Sequence, residues 1–193
     1  AHGDVLVLLQ PAEETGGGAP VVLESGALDG VSAIFGGHVD RRFAVGQVVA
    51  EAGPLAASAD VFAIELAGQG AHGARPHESA DPVVGAGALI GALQTIVARR
   101  LNPAVAAVVT VGTVHAGAAP NVIPERALLT GTLRALDPDT RRVLHDEVRR
   151  IAAATAAAYG LRATVTLELG PQRIVNPPER AGWAREGATS LLG

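Results

Sequence analysis

"ASADVFAIELAG" (residues 57–68) alternates apolar and polar side chains, the pattern of a strand with one covered face. A loop of glycine, histidine and proline (68–82) follows, and then a long alanine-rich helix at about 83–100. Further on, "AVAAVVTVGTVHAG" (104–117) reads as a strand, and a loop through "APNVIP" leads to another at "RALLTGTLRAL" (126–136). "DPDTRRVLHDEVRRIAAATAAAYG" (137–160) carries its own start and stop signals, with Asp137 to cap it, Pro138 at its first position and Gly160 just beyond its end. "LRATVTLELG" (161–170) closes the series as a strand. The order βαββαβ over 59–169 is the ferredoxin-like split βαβ arrangement.

On either side the pattern changes. "DVLVLL" (4–9) and "VSAIFGGHVD" (31–40) are continuous apolar runs of the kind buried in a parallel sheet, with "VGQVVAEAG" (45–53) continuing in extended form. Between them "APVVLESGALDG" (19–30) predicts a short helix ending at Gly26 or Gly30. Beyond "GPQRIVNPPE", residues 180–193 form one more helix. Residues 1–54 and 171–193 are therefore expected to belong to an α/β catalytic layer, with 55–170 inserted as a small domain of its own. A parallel sheet needs more strands than these flanks hold, so the chain reads as cut at both ends.

The chain of 193 residues is 48% hydrophobic and 18% charged, a composition that folds and buries a core. It has no cysteine, which excludes disulfides and thiolate metal ligands within it. A net charge of -4 without a basic stripe argues against a nucleic-acid partner. No basic segment precedes an apolar one as in a signal peptide, and the apolar runs have strand length; the expectation is a cytoplasmic protein with no membrane partner. All fifteen basic residues are arginine, a side chain suited to carboxylate recognition.

Chemistry is concentrated in a few places. Glu13 and Glu14, in "QPAEETGGGAP" (10–20), follow the first apolar run, where α/β sheets open their ligand crevice. Adjacent side chains on an extended backbone point different ways, so one carboxylate can hold a metal while the other faces the attacking water. His38 ends the next apolar run, and a neutral imidazole is a common zinc ligand. On spacing alone the two glutamates cap a turn, and His38 is an edge histidine, with about equal weight. His72 in "GQGAHGARPH", Asn121 in "APNVIP" and Arg134 in "TGTLRAL" offer a ring, an amide donor and a guanidinium fork, and each also reads as an ordinary loop or surface residue. "RRVLHDEVRR" (141–150) reads as a solvated helix face.

Taken together, "QPAEETGGGA", "FGGHVD", "GPLAASADVFAIELAGQGAHGARPHESADPVVGAGALI", "GAAPNVIPERALLTGTLRAL" and "IVNPPE" arrive in the order and spacing of one family. The chain resembles the dimerising two-metal amidohydrolases and peptidases that include hippurate hydrolase, N-acyl-amino-acid amidohydrolase, plant auxin-conjugate hydrolase and, more distantly, carboxypeptidase G. The resemblance implies part of a metallo-exopeptidase-type α/β catalytic domain with an inserted ferredoxin-like lid and dimerisation domain. It implies hydrolysis of the amide bond in N-acyl amino acids or similar small conjugates, two divalent cations (zinc, with manganese or cobalt as alternatives) and a homodimer through residues 55–170. Residue by residue it makes Glu13 the general base, Glu14 and His38 metal ligands, and Asn121 and Arg134 substrate-binding groups. His72 becomes a donor to the developing oxyanion, often reaching the active site from the partner subunit. The family's upstream Cys-Gly-His-Asp-like segment and downstream histidine are absent, so the chain alone is expected to be inactive. The alternative from another class is a non-catalytic homodimerisation module. In either case the helix "VVGAGALIGALQTIVARR" (83–100), apolar nearly all round, is expected to meet a second copy, with Gly85, Gly87 and Gly91 allowing close approach.

Overall fold

Asp60 opens the strand that organises the larger of two compact units, Pro54–Val175; the smaller comprises Ala1–Gly53 and Asn176–Gly193. The structure, a computed structural model, describes residues 3–13 and 17–192. From Gly53 to Asn176 the elements run β1 (Gly53–Ala56), β2 (Asp60–Ala67), β3 (Ala71–His72), α2 (Pro82–Thr95), β4 (Ala107–Ala116), β5 (Val122–Ile123), β6 (Arg126–Ala135), α3 (Pro138–Ala158), β7 (Arg162–Glu168) and β8 (Ile174–Asn176). The helices α1 (Gly18–Glu24) and α4 (Pro178–Leu192) belong to the smaller unit.

Four strands form one sheet in the order β4-β6-β2-β7, every neighbouring pair antiparallel. This is the expected ferredoxin-like topology. Phe62, Ile64 and Leu66 of β2 are fully buried, and they meet Leu129 and Leu133 of β6 beneath α2 and α3. The alternate residues face the open side of the sheet, as period-two patterning requires. Phe62 pairs with Gly131 in the register, and a Cβ on Gly131 would lie 2.3 Å from the Phe62 ring and 2.0 Å from the Thr110 carbonyl oxygen. The glycine is there because an aromatic ring occupies its side-chain space. Along β4 a bulge between Val111 and Thr113 absorbs Gly112.

The helix ends follow their local signals. Asp81 accepts from the backbone N–H groups of Val83 (2.8 Å) and Val84 (3.4 Å) to start α2. Asp137 accepts from Thr140 N–H (2.8 Å) to start α3. At the other end of α3, Gly160 adopts φ +68°, with Leu161 N–H donating to Ala156 O (2.8 Å) and Gly160 N–H to Ala157 O (3.2 Å). That pair of bonds is a Schellman stop. The α2 helix runs on through a π-helical turn, Ile96–Arg100. By length and a mean hydropathy of 1.4, Pro82–Arg100 would suit a membrane, but Leu89, Leu93 and Ile96 are core residues of this unit. Gly85 also differs from expectation: it faces inward, where a Cβ would lie 2.3 Å from Leu161 Cδ1. Gly87 and Gly91 do face open space.

The 141–150 face of α3 is not simply solvated. Arg141 and His145 both reach the fully buried carboxylate of Asp60, Arg141 with a paired grip and His145 through Nε2 (2.7 Å). Gly170 N–H adds a third donor to it (3.0 Å). Burial pushes the Asp60 carboxyl up, yet these donors outweigh it and hold its pKa below the ordinary value. One turn further along, Glu147 is buried and gripped by Arg150 (2.6 Å) and by Arg100 (3.2 Å). A charge run on a helix had hidden two clasps that close the helix onto the rest of the unit.

In the smaller unit α1 forms and ends in turns where Gly26 and Gly30 take φ +73° and +80°. The strands expected at 4–9 and 31–40 do not form: the residues described there make no ladder, and Val5 and Leu9 are each 89% exposed. Continuous apolar runs suit strands covered on both faces and paired on both edges, which the described residues of this unit do not supply. Within the unit, Arg185 of α4 donates to Ala50 O (2.9 Å) and Asn176 to Glu51 O (3.0 Å).

Candidate active site

At the end of β2 the chain is held by close backbone contact. Gly68 N–H donates to Glu125 O (2.9 Å), while Gln69 and Ala80 exchange two bonds (3.0 and 3.1 Å). A Cβ on Gly68 would fall 2.1 Å from Ala80 O, so only glycine fits. Beyond this neck β3 pairs antiparallel with β5, placing His72 opposite Val122. Gly73 N–H then donates to Asn121 O (2.7 Å). His72 ends β3 and Asn121 immediately precedes β5, so residues about fifty apart in sequence are brought side by side at one end of this small ladder. The chain turns back after His72, with Arg75 N–H on His72 O (2.7 Å) and Ala74 N–H on His72 Nδ1 (3.1 Å). An open hollow of about 520 Å³ is lined here by Gly70, His72, Val122, Ile123 and Glu125.

Arg134 lies elsewhere. Ala67 is opposite Arg126 at the His72 end of the sheet, whereas Arg134 is eight residues further along β6, opposite Val108. At about 3.3 Å per residue the two ends are about 26 Å apart. Arg134 is exposed and makes no ion pair with any described residue, so its fork is available. His72 and Asn121 thus lie toward one end of the sheet and Arg134 toward the other.

In the smaller unit Glu13 is exposed, while Glu14 lies outside the described residues. His38 Nδ1 lies 2.6 Å from Val39 O; a carbonyl only accepts, so Nδ1 carries a proton, and in a neutral ring Nε2 then presents its lone pair. That tautomer fits a metal ligand, whose outer nitrogen commonly donates to a backbone carbonyl. Nearby Asp40 is engaged by Arg42 (2.5 and 2.9 Å), whose hydrogen bonds hold its carboxyl at about 2. Among the described residues, no three His, Cys, Asp or Glu side chains gather into a metal-binding cluster.

Sequence reading had not singled out Gly73 and Ala74, whose backbones fix His72 and Asn121. Only the glycine directly after His72 hinted at them, because a backbone N–H leaves no mark in a sequence.

Residues 58–160, from just before β2 to the end of α3, match the family of peptidase dimerisation domains named M20. The chain belongs to the M20 peptidase family. Among its M20 relatives, N-acetyl-L-cysteine deacetylase of Bacillus subtilis is 41% identical over 186 residues, which is 96% of this chain and 45% of that protein. An IAA-amino acid hydrolase of Arabidopsis thaliana is 39% identical over 164 residues, 85% of this chain and 37% of that one. The crystal structure of a dinuclear metal-binding M20 peptidase from Bacillus subtilis matches with a TM-score of 0.76 at 36% identity, over 95% of this chain and 46% of that chain. The chain therefore spans about half the length of the relatives it matches, and those relatives are hydrolytic enzymes. The family bears out both the resemblance and the fold class, an α/β metallopeptidase fold with a dimerisation domain.

Proposed function

We propose that this chain supplies the general base, part of the metal-ligand set and the dimerising lid of an M20 amidohydrolase acting on N-acyl amino acids or similar small conjugates. The observation that carries this reading is the 41% identity to an N-acetyl-L-cysteine deacetylase across 96% of the chain. Glu14 and His38 would hold the cation, with the remaining ligands supplied by the rest of the protein. Two zinc ions, or manganese or cobalt, are the expected metals. Bound there, a divalent metal acidifies the attacking water.

The chain's own groups do the rest. Glu13 takes a proton from the water as its oxygen attacks the amide carbon, and returns that proton to the nitrogen as the C–N bond breaks. Arg134 forks onto the substrate carboxylate. His72 and Asn121 donate to the substrate carbonyl as negative charge develops on its oxygen. Because the two ends of the sheet are about 26 Å apart, His72 and Asn121 serve the site of a second copy. The longest edge strand, β4, and the outer face of α2 with Val84, Gly87 and Gly91 are the surfaces offered to that copy.

The test is turnover of N-acyl amino acids by the complete metal-loaded protein, set against analogues with the carboxylate amidated. Arg134→Lys keeps the charge but loses the fork. It should lower kcat/KM on the free carboxylates by about 10-fold or more and leave the amides nearly unchanged. Equal loss on both would remove Arg134 from the substrate. No turnover of any member would leave a dimerisation module.

A further inference from the structure

The hydrogen bonds at His72 and His38 call for opposite tautomers of a neutral ring, and we infer that the turn after His72 makes it an obligate hydrogen-bond donor through Nε2. This deepens the amidohydrolase reading, on which its catalytic meaning rests. A backbone N–H can only donate, so the 3.1 Å contact from Ala74 N–H makes His72 Nδ1 the acceptor. In a neutral ring the single proton then sits on Nε2. His38 is the reverse, with its proton on Nδ1 and its lone pair on Nε2.

The contact at His72 is built into the turn. Arg75 N–H on His72 O closes the turn, Gly73 N–H on Asn121 O (2.7 Å) fixes its first corner, and Gly73 has little room for a side chain. A Cβ there would press on the Asn121 O, C and Cα at 3.1, 3.2 and 3.3 Å. The same turn that orients the His72 ring is therefore held by the backbone of Asn121, so both donors are set as one piece. A ring held this way offers an N–H to a carbonyl oxygen and cannot use Nε2 as a base or a metal ligand without giving up the Ala74 bond. Gly73 and Ala74 are positioning residues, and they act through His72.

The tautomer can be read directly. The complete chain, labelled with 15N in its histidines, is measured by long-range 15N–1H correlation at about pH 8.5, two units above the ordinary imidazole value of about 6.5. Loss of a signal in His72→Gln assigns His72. Its Nδ1 should show the shift of an unprotonated nitrogen and its Nε2 that of a protonated one. His115, which makes no ring hydrogen bond to any described residue, should show shifts averaged between the two forms. Averaged shifts at His72 as well, or a protonated Nδ1, would overturn the inference while leaving amide hydrolysis untouched.

A kinetic arm uses the complete enzyme. Gln places an amide N–H near the position of Nε2, so His72→Gln should keep at least about 10-fold more kcat than His72→Ala. Loss of one oxyanion donor commonly costs about 10²–10³ in kcat. Equal loss in the two variants would show that a donor at Nε2 is not what the reaction uses. An enzyme that turns over no N-acyl amino acid, with the His72 shifts as described, would sink the functional reading and spare the tautomer.

Discussion

Glu13 and Glu14 are neighbours in sequence, yet proton transfer and metal binding ask different things of a carboxylate. A general base must change its protonation state during turnover, whereas a ligand must stay ionised. In the complete protein Glu13→Gln should keep its metal and lose about 10²–10⁴ in kcat. Glu14→Gln should lose metal, measured by elemental analysis after dialysis. Identical metal content in the two variants would end this division of labour. The residue scale is also where sequence was least informative. His72, Asn121 and Arg134 were each legible as candidates, but no spacing rule says that the first two lie side by side and the third sits toward the far end of the sheet. Asp60 read as an ordinary polar position of a strand, and only its contacts with Arg141 and His145, 81 and 85 residues away, show it as a buried anion.

At the scale of elements, two features decide how β2 meets its neighbours. Gly131 gives its side-chain space to Phe62, so Gly131→Ala forces the ring or the β4–β6 ladder to move. Overpacking of this kind costs about 1–3 kcal/mol, which a shift in the urea midpoint will show. A variant as stable as the parent would mean that the sheet yields at no cost.

Glu147 couples the π-helical turn to α3. Arg150 chiefly, and then Arg100, lower its carboxyl from 4.5 to about 2 against the opposing effect of burial. The folded chain then binds this proton less readily than the unfolded one. The stabilisation is fully present above about pH 4.5 and is lost as pH falls toward 2. Asp60, also lowered, adds to the same acid-side loss. Glu147→Gln should lower neutral-pH stability by only about 1 kcal/mol, since Arg100 and Arg150 are more than half exposed and screened, and should flatten the acid limb. An acid limb as steep as the parent's would shift the titration to other groups.

For the whole molecule, the separation of Arg134 from His72 and Asn121 is what supports the proposed role of a second copy. If His72 serves its partner, two inactive chains can complement each other. A complete protein carrying His72→Ala mixed with one carrying Glu13→Gln should form heterodimers in which one site regains both residues. Activity should reappear on mixing and rise with the heterodimer fraction. Persistent inactivity in verified heterodimers would place His72 in its own chain's site. The contact itself can be probed by light scattering, with Val84→Glu or Gly91→Glu on the outer face of α2 expected to weaken assembly. Ile90, partly buried against the core, is a poor choice because a charge there would test folding instead.

The sequence by itself determined the βαββαβ order over 59–169, where α2 and α3 begin and where α3 stops. Strand alternation at 60–67, the caps at Asp81 and Asp137 and the stop at Gly160 act over a few residues, so they are complete in the local chain. Tertiary structure decided everything that needs two distant segments at once. It set the register that lays Phe62 over Gly131, the grip of α3 on Asp60 and the inward turn of Gly85. It also set the β3–β5 pairing that brings Asn121 beside His72 and the length of sheet that separates them from Arg134. The apolar runs at 4–9 and 31–40 mark the same limit, for hydrophobicity can prescribe burial, but a strand exists only where a neighbour accepts its hydrogen bonds.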